Sequence, residues 1–71
     1  MDLSVEKIEG SRLPEKTVKG EWYSVVEGMT VYRAYIMEQG ADVSEIDGFE
    51  YLPVDEDVKR KVVEAIEKHN S

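Results

Sequence analysis

The apolar residues of this chain recur at two different periods, which divide it into a predicted sheet and a predicted helix. The helical period runs from about Asp55 to His69. One face of that helix would carry Val58, Val62, Ala65, Ile66 and His69, with Val63 widening it. Asp55 is a suitable N-cap, because its carboxylate can accept hydrogen bonds from the first-turn amides. The pattern therefore predicts a C-terminal amphipathic helix.

Upstream of the helix, apolar and polar residues alternate in the way that is typical of strands. Residues 21–26 place Trp22 on one face and Tyr23 on the other. Glu27-Gly28 can close a tight hairpin, and Asp47-Gly48 is a stronger two-residue hairpin signal. The second hairpin predicts a strand over 49–53, whereas 43–46 fits a strand, a loop or a short helical turn.

The segment 29–39 is ambiguous. As a strand it has two largely apolar faces, one with Val31 and Tyr35 and the other with Tyr32 and Ile36. As a helix it gathers most of its apolar residues in one arc, and Gly40 then falls where a C-terminal cap belongs. The abundance of Thr, Val, Tyr and Ile favours the strand.

The remaining N-terminal residues predict a short strand around Leu3 and Val5, followed by a loop punctuated by Pro14 and Gly20. A chain of 71 residues has room for one thin core, so we expect 1–71 to form a single domain. The predicted fold is α+β. It consists of a small antiparallel sheet of three to four short strands with the C-terminal amphipathic helix packed on one face.

Charge is the clearest compositional feature. The net charge is −7, and between Glu38 and Asp57 there are eight carboxylates and no Lys or Arg. Residues 1–35 carry six acids and five bases, whereas 36–71 carry ten acids and four bases. Because nucleic-acid binding depends largely on neutralising phosphates, this sign argues against it. The natural counterpart is a basic protein partner.

Residue types that carry catalytic or metal chemistry are sparse. Cysteine is absent, and the single histidine, His69, complements the end of the predicted helix. An EF-hand frame centred on Gly48 puts Val43 and Val54 where acidic ligands are required, which rejects the motif. No glycine-rich phosphate loop is present. We therefore expect no catalytic residue, no metal site and no cofactor, and a protein that is not an enzyme.

The composition also bears on the protein's environment. No apolar run approaches the length of a membrane span, and the N-terminus lacks the features of a signal peptide. These observations predict a cytoplasmic protein without membrane contact. Eleven Glu and six Lys against one Gln and one Asn match the pattern reported for hyperthermophile proteomes.

The aromatic residues are the remaining functional lead, next to the acidic portion from Asp42 to Glu50. A single helix covers only one sheet face, so a second apolar face would need a partner, and a homodimer or a heteromeric complex is expected. We predict a non-catalytic adaptor or inhibitor that presents an acidic edge and an aromatic or apolar patch to a basic protein. The candidate partner-binding residues are Trp22, Tyr35, Asp42, Glu45, Asp47, Phe49, Glu50 and Tyr51.

Two alternatives remain open. An accessory nucleic-acid-binding module could use Lys16, Lys19 and Arg33 together with the aromatic residues, which would stack on single-stranded bases. A small-molecule enzyme subunit could form its site only between protomers.

Overall fold

In the computed structural model, which describes residues 3–10 and 13–71, the chain forms one antiparallel sheet and one helix. The elements are β1 (Ser4–Ile8), β2 (Gly20–Glu27), β3 (Thr30–Met37), β4 (Gly40–Asp47), β5 (Glu50–Pro53) and α1 (Glu56–Asn70). Each strand pairs with the next along the chain, so the sheet order is β1-β2-β3-β4-β5. The predicted α+β class is confirmed, with five strands instead of three or four. No helix in these two ranges is long and apolar enough to span a membrane.

Both predicted hairpins are present, but each turn is shifted by one residue from its predicted position: the central residues are Gly28-Met29 and Gly48-Phe49, so β5 begins at Glu50 and not at 49. Gly28 and Gly48 open the two turns with φ values of 62° and 63°. No non-glycine residue of the described ranges has a positive φ. A positive φ confined to the first central residue is the geometry of a type II′ turn, whose twist suits a hairpin.

Segment 30–37 is a strand, so the helical alternative for 29–39 is wrong. β3 pairs with β2 on one side and with β4 on the other, and both of its faces are used. Gly40 opens β4 and does not cap a helix. Segment 43–46, for which the sequence allowed a strand, a loop or a helical turn, belongs to the strand β4. This strand pairs with β3 on one side and with β5 on the other.

The C-terminal helix is confirmed within one residue at each end. The Oδ1 atom of Asp55 accepts a hydrogen bond from the backbone N–H of Val58 at 2.8 Å, as expected of an N-cap. Val62 and Ile66 are 0% and 1% exposed and form the centre of the buried face.

The hydrophobic core lies between α1 and one face of the sheet. The strands contribute every second residue to it: Tyr23, Val25, Tyr32, Ala34, Ala41 and Val43. Polar contacts hold the helix against β2 at two points. Lys61 Nζ lies 2.8 Å from Glu27 Oε1, and Asn70 Nδ2 donates to the Tyr23 hydroxyl at 3.0 Å. The helix is thereby fixed on one face, and the opposite face of the sheet has no helix over it.

Candidate binding surface

The sheet face opposite α1, here called the uncovered face, consists of four cross-strand rows, of which the fourth is the short row Gly20, Met37 and Gly40 next to the β3–β4 turn. Residues paired in register lie side by side on the same face of an antiparallel sheet. The first row, nearest the β2–β3 and β4–β5 turns, is Ser4, Val26, Val31, Ile46 and Tyr51. The second is Glu6, Ser24, Arg33, Ser44 and Pro53, and the third is Ile8, Trp22, Tyr35 and Asp42.

Aromatic side chains pack against one another over the middle of this face. The ring centroids of Trp22 and Tyr35 are 4.9 Å apart, and those of Trp22 and Tyr51 are 6.4 Å apart in an edge-to-face arrangement. Three strand spacings, about 14 Å, separate β2 from β5, so Trp22 and Tyr51 must lean toward each other across β3 and β4. Together Trp22, Tyr35 and Tyr51 form the aromatic cluster.

Arg33 lies beside the aromatic cluster. Its Nη1 donates to the Tyr51 hydroxyl at 3.0 Å. Its Nε is buried and has no hydrogen-bond partner among the described residues. Ser24 and Ser44 are its direct neighbours in register. The arginine is thus held in one place on the sheet, with part of its donor capacity unused.

Residues 13–19, here called the covering loop, cross the third row. The Tyr35 hydroxyl donates to the Val18 carbonyl at 2.6 Å, and Tyr35 is only 6% exposed as a result. At the junction with β2, a Cβ on Gly20 would lie 2.5 Å from the Ile36 carbonyl oxygen and 2.9 Å from the Tyr35 ring. Only glycine allows the chain to approach Tyr35 so closely. Within the third row the chain therefore covers Tyr35 itself, whereas the Asp42 side chain stays 62% exposed.

The opposite end of the uncovered face carries two fully exposed apolar side chains. Met29 and Phe49 occupy the tips of the β2–β3 and β4–β5 turns, and both are 102% exposed. The two tips are about two strand spacings apart, roughly 10 Å. Together with four residues of the first row they make up the apolar patch, defined as Val26, Met29, Val31, Ile46, Phe49 and Tyr51.

The eight sequence-predicted residues do not form one surface. Trp22, Tyr35, Asp42 and Tyr51 belong to the uncovered face, with Tyr35 under the covering loop. Asp47 and Glu50 pair in register next to the exposed tip at Phe49, and alternation along β4 and β5 places both on the helix side of the sheet. Glu45 lies on the helix side of the sheet, where it pairs with Tyr32 and Leu52.

Met29 was missed by the sequence reasoning, although a signal for it exists. Glu27-Gly28-Met29 and Asp47-Gly48-Phe49 share the order acid, glycine, large apolar residue. In a two-residue turn opened by glycine, the second turn residue projects from the end of the sheet. The repetition of this order at two turns on the same end could have identified both tips.

Glu21, a carboxyl group whose pKa is shifted, lies on the helix side of the sheet. Glu21 accepts a hydrogen bond from Lys7 Nζ at 3.1 Å and another from the Tyr23 hydroxyl at 3.1 Å. These bonds lower the pKa of the Glu21 carboxyl, the one from Lys7 most strongly, and the same ion pair raises the pKa of Lys7. This chain of contacts ends at Asn70 of the helix and is structural.

Among the described residues, no three His, Asp or Glu side chains lie close enough together to bind a metal ion. In comparisons with known proteins, no family model, no curated protein and no solved structure matches this chain. The functional argument therefore depends on the geometry of the uncovered face.

Proposed function

We propose that this chain is a non-catalytic protein–protein interaction module that binds a basic partner through its uncovered face. The observation that carries the proposal is the full exposure of Met29 and Phe49 beside the first row. Burying such side chains in a complex would remove their apolar area from water, which is worth about 25 cal/mol per Å². Contiguous exposed apolar residues on a small protein usually mark an interaction site.

The residue types behind the tips support a binding role. Trp, Tyr and Arg dominate the residues that contribute most to binding energy at protein interfaces. Trp22, Arg33 and Tyr51 are already packed together on the sheet. Because their positions are fixed before binding, a partner would not have to immobilise them, which lowers the entropic cost of association.

Charge favours a basic partner. Asp47 and Glu50 lie beside the tip at Phe49, at the edge of the apolar patch and on the helix side of the sheet, and Glu6 lies in the second row of the uncovered face. The two cations near this face make contacts within the chain: Lys16 pairs with Asp42, and Arg33 donates to the neutral hydroxyl of Tyr51 and so keeps its positive charge. Acidic groups around an apolar patch steer a positively charged protein toward it and raise the association rate.

The homodimer expected from the sequence is the alternative to a basic partner at the apolar patch. A second copy would bring the same acids against one another, and like charges opposed across an interface cost several kcal/mol. We therefore favour a different, basic protein as the occupant of the apolar patch. Sedimentation of the purified chain distinguishes the two: we expect a monomer, and a stable dimer that Phe49→Ser dissociates would identify a second copy as the occupant.

The proposal is tested by placing a photo-activated cross-linking residue at Phe49 and, as the matched control, at Glu64 on the exposed side of α1. Position 49 is expected to capture proteins of net positive charge that position 64 does not capture. Raising the salt from about 0.1 M to about 1 M shortens the Debye length from about 10 Å to about 3 Å and should reduce the yield.

Charge reversal gives the second arm of the same experiment. The pair Asp47→Lys and Glu50→Lys should abolish capture at position 49, whereas Glu64→Lys with Glu67→Lys should leave it unchanged. Capture of the same proteins from both positions, or capture that is insensitive to the first pair, would contradict the proposal.

Single-stranded nucleic acid is the second candidate, because Trp22, Tyr51 and Arg33 lie together on one sheet face. Stacking on such aromatic residues contributes about 1–3 kcal/mol per base. The net charge of −7 opposes it, since phosphates would be repelled. A gel shift with single-stranded DNA or RNA at low salt that Arg33→Gln abolishes would establish this alternative, and the absence of any shift would remove it.

A further inference from the structure

The third row of the uncovered face surrounds the ammonium group of Lys16. Lys16 Nζ lies 5.7 Å from the centroid of the Trp22 ring and 5.8 Å from that of the Tyr35 ring. It also lies 3.7 Å from Oδ2 of Asp42. Trp22, Tyr35 and Asp42 are consecutive neighbours across β2, β3 and β4, so the backbone of the sheet fixes their spacing.

Two aromatic rings and a carboxylate are a suitable environment for an ammonium ion. A cation within about 6 Å of a ring centroid is attracted by the negative face of the ring, and Trp is the best of the aromatic residues in this respect. The carboxylate supplies the opposite charge. Aromatic enclosures of this kind are used to bind choline and methyl-lysine, whose ammonium groups carry the same charge as that of lysine.

Lys16 is held much less firmly than Trp22, Tyr35 and Asp42. The covering loop contains no helix or strand. Among the described residues, the backbone–backbone hydrogen bonds outside the regular elements all belong to the ends of α1, and none holds the loop. Its connections to the site are the Lys16 contacts and the hydrogen bond from Tyr35 to Val18. Lys16 can therefore leave without disturbing the three strands.

We propose that Trp22, Tyr35 and Asp42 form an ammonium-binding site, that Lys16 fills it in the free protein, and that a lysine of the partner replaces Lys16 in the complex. The identity of this occupant as a partner's lysine depends on the proposed function. A tethered side chain competes at an effective concentration in the millimolar range. Lys16 would thus weaken the binding of free ammonium ions and favour a lysine that is delivered by contacts elsewhere on the uncovered face.

The test uses Trp22, the single tryptophan of the chain, as a fluorescent reporter. Lys16→Ala, which empties the site, is titrated with tetramethylammonium chloride and with N-acetyl-lysine methylamide. The controls are tert-butyl alcohol, which has a similar shape without charge, and sodium chloride at equal ionic strength. We expect a saturable change in Trp22 emission with both ammonium probes and none with either control.

Two comparisons of probe affinity test whether binding occurs at this site. The wild-type chain should bind both probes about threefold to tenfold more weakly than Lys16→Ala, the range that a cation–π contact with a supporting ion pair produces. Adding Asp42→Asn to Lys16→Ala should weaken binding by a similar factor. Lys16→Gln removes the charge and keeps most of the side-chain stem. A difference in Trp22 emission between Lys16→Gln and Lys16→Ala therefore reports the effect of losing the stem.

A response to tetramethylammonium that does not saturate, that tert-butyl alcohol reproduces, or that is equally strong in the wild-type chain would overturn the ammonium site. Because no partner is needed, this result is independent of the cross-linking experiment at position 49. Saturable binding of the probes together with cross-linking only to acidic proteins would refute the proposed function and leave the ammonium site standing.

Discussion

The hydrogen bond from Tyr35 to Val18 is the best-defined attachment of the covering loop, and Tyr35→Phe removes it without creating a cavity. The bond measures 2.6 Å, short for a neutral hydroxyl donor. A neutral hydrogen bond contributes about 0.5–1.5 kcal/mol net. Val18 is 56% exposed, so water can satisfy its carbonyl after the substitution. We therefore expect a loss of about 1 kcal/mol.

This loss of free energy should affect the opening of the covering loop more than the global unfolding of the protein. A change of 1 kcal/mol shifts an opening equilibrium about fivefold. Amide exchange of residues 13–19 and trypsin cleavage after Lys16 and Lys19 should therefore accelerate about fivefold under conditions where cleavage follows the open population. The free energy of unfolding from urea denaturation should fall by no more than about 1 kcal/mol.

Tyr32→Phe is the matched control, since Tyr32 is equally buried on the helix side and its hydroxyl makes no hydrogen bond within the described residues. It should change neither the cleavage rate nor the stability by more than about 0.5 kcal/mol. An unchanged cleavage rate in Tyr35→Phe, or an equal acceleration in both variants, would refute the role assigned to this bond.

Further predictions concern the elements that position the uncovered face. Ile66→Ala should lower the free energy of unfolding by about 2–5 kcal/mol, because the side chain is 1% exposed against the sheet; a loss under about 1 kcal/mol would contradict this core. Asp55→Ala should cost about 1 kcal/mol and reduce helical circular dichroism through loss of the N-cap, and an unchanged signal would exclude that role. Gly48→Ala should cost about 1–2 kcal/mol in urea denaturation because φ is 63°, whereas a neutral result would mean that the turn rearranges. Glu21→Gln should destabilise the protein near neutral pH and not in acid. The lowered pKa of Glu21 means that its contribution is present above the unfolded-state pKa and is lost as pH falls through the folded-state pKa. A wild-type advantage that persists at low pH would be inconsistent with this ion pair. At alkaline pH the partner Lys7, whose pKa is raised, should lose its contribution as pH rises through its folded-state value.

The features that were correctly predicted from the sequence are those set by local interactions. The helix from Asp55 onward combines an N-cap, charges that suit the helix dipole and a continuous apolar face. The hairpins at Gly28 and Gly48 follow from a conformation that favours glycine. Alternation also placed Trp22 and Tyr23 on opposite faces of β2, as the register shows.

The ambiguous elements were those whose structure depends on neighbours distant in the chain. β3 lies between two strands and has apolar residues on both faces, so it lacks the alternation that identifies a strand. β4 contains Asp42, Glu45 and Asp47, residues with low strand propensity, and it forms because β3 and β5 pair with it on either side.

The site itself was only partly accessible from the sequence. Side-chain alternation assigns Tyr35 and Arg33 to one face of β3. It cannot show that Trp22 and Tyr51 meet across three strand spacings, because that depends on side-chain direction. The position of Lys16 over two rings depends on the path of a loop without regular structure, for which no periodic signal exists.

The most direct test of the central claim is an amide-shift titration of the wild-type chain with a short peptide in which lysine alternates with leucine. The largest shifts should occur at Asp42, Phe49, Tyr51 and the Trp22 indole, and they should weaken as salt screens the charges. Shifts that are confined to the acids of α1, such as Glu64 and Glu67, would contradict the assignment of the uncovered face as the binding surface for a basic partner.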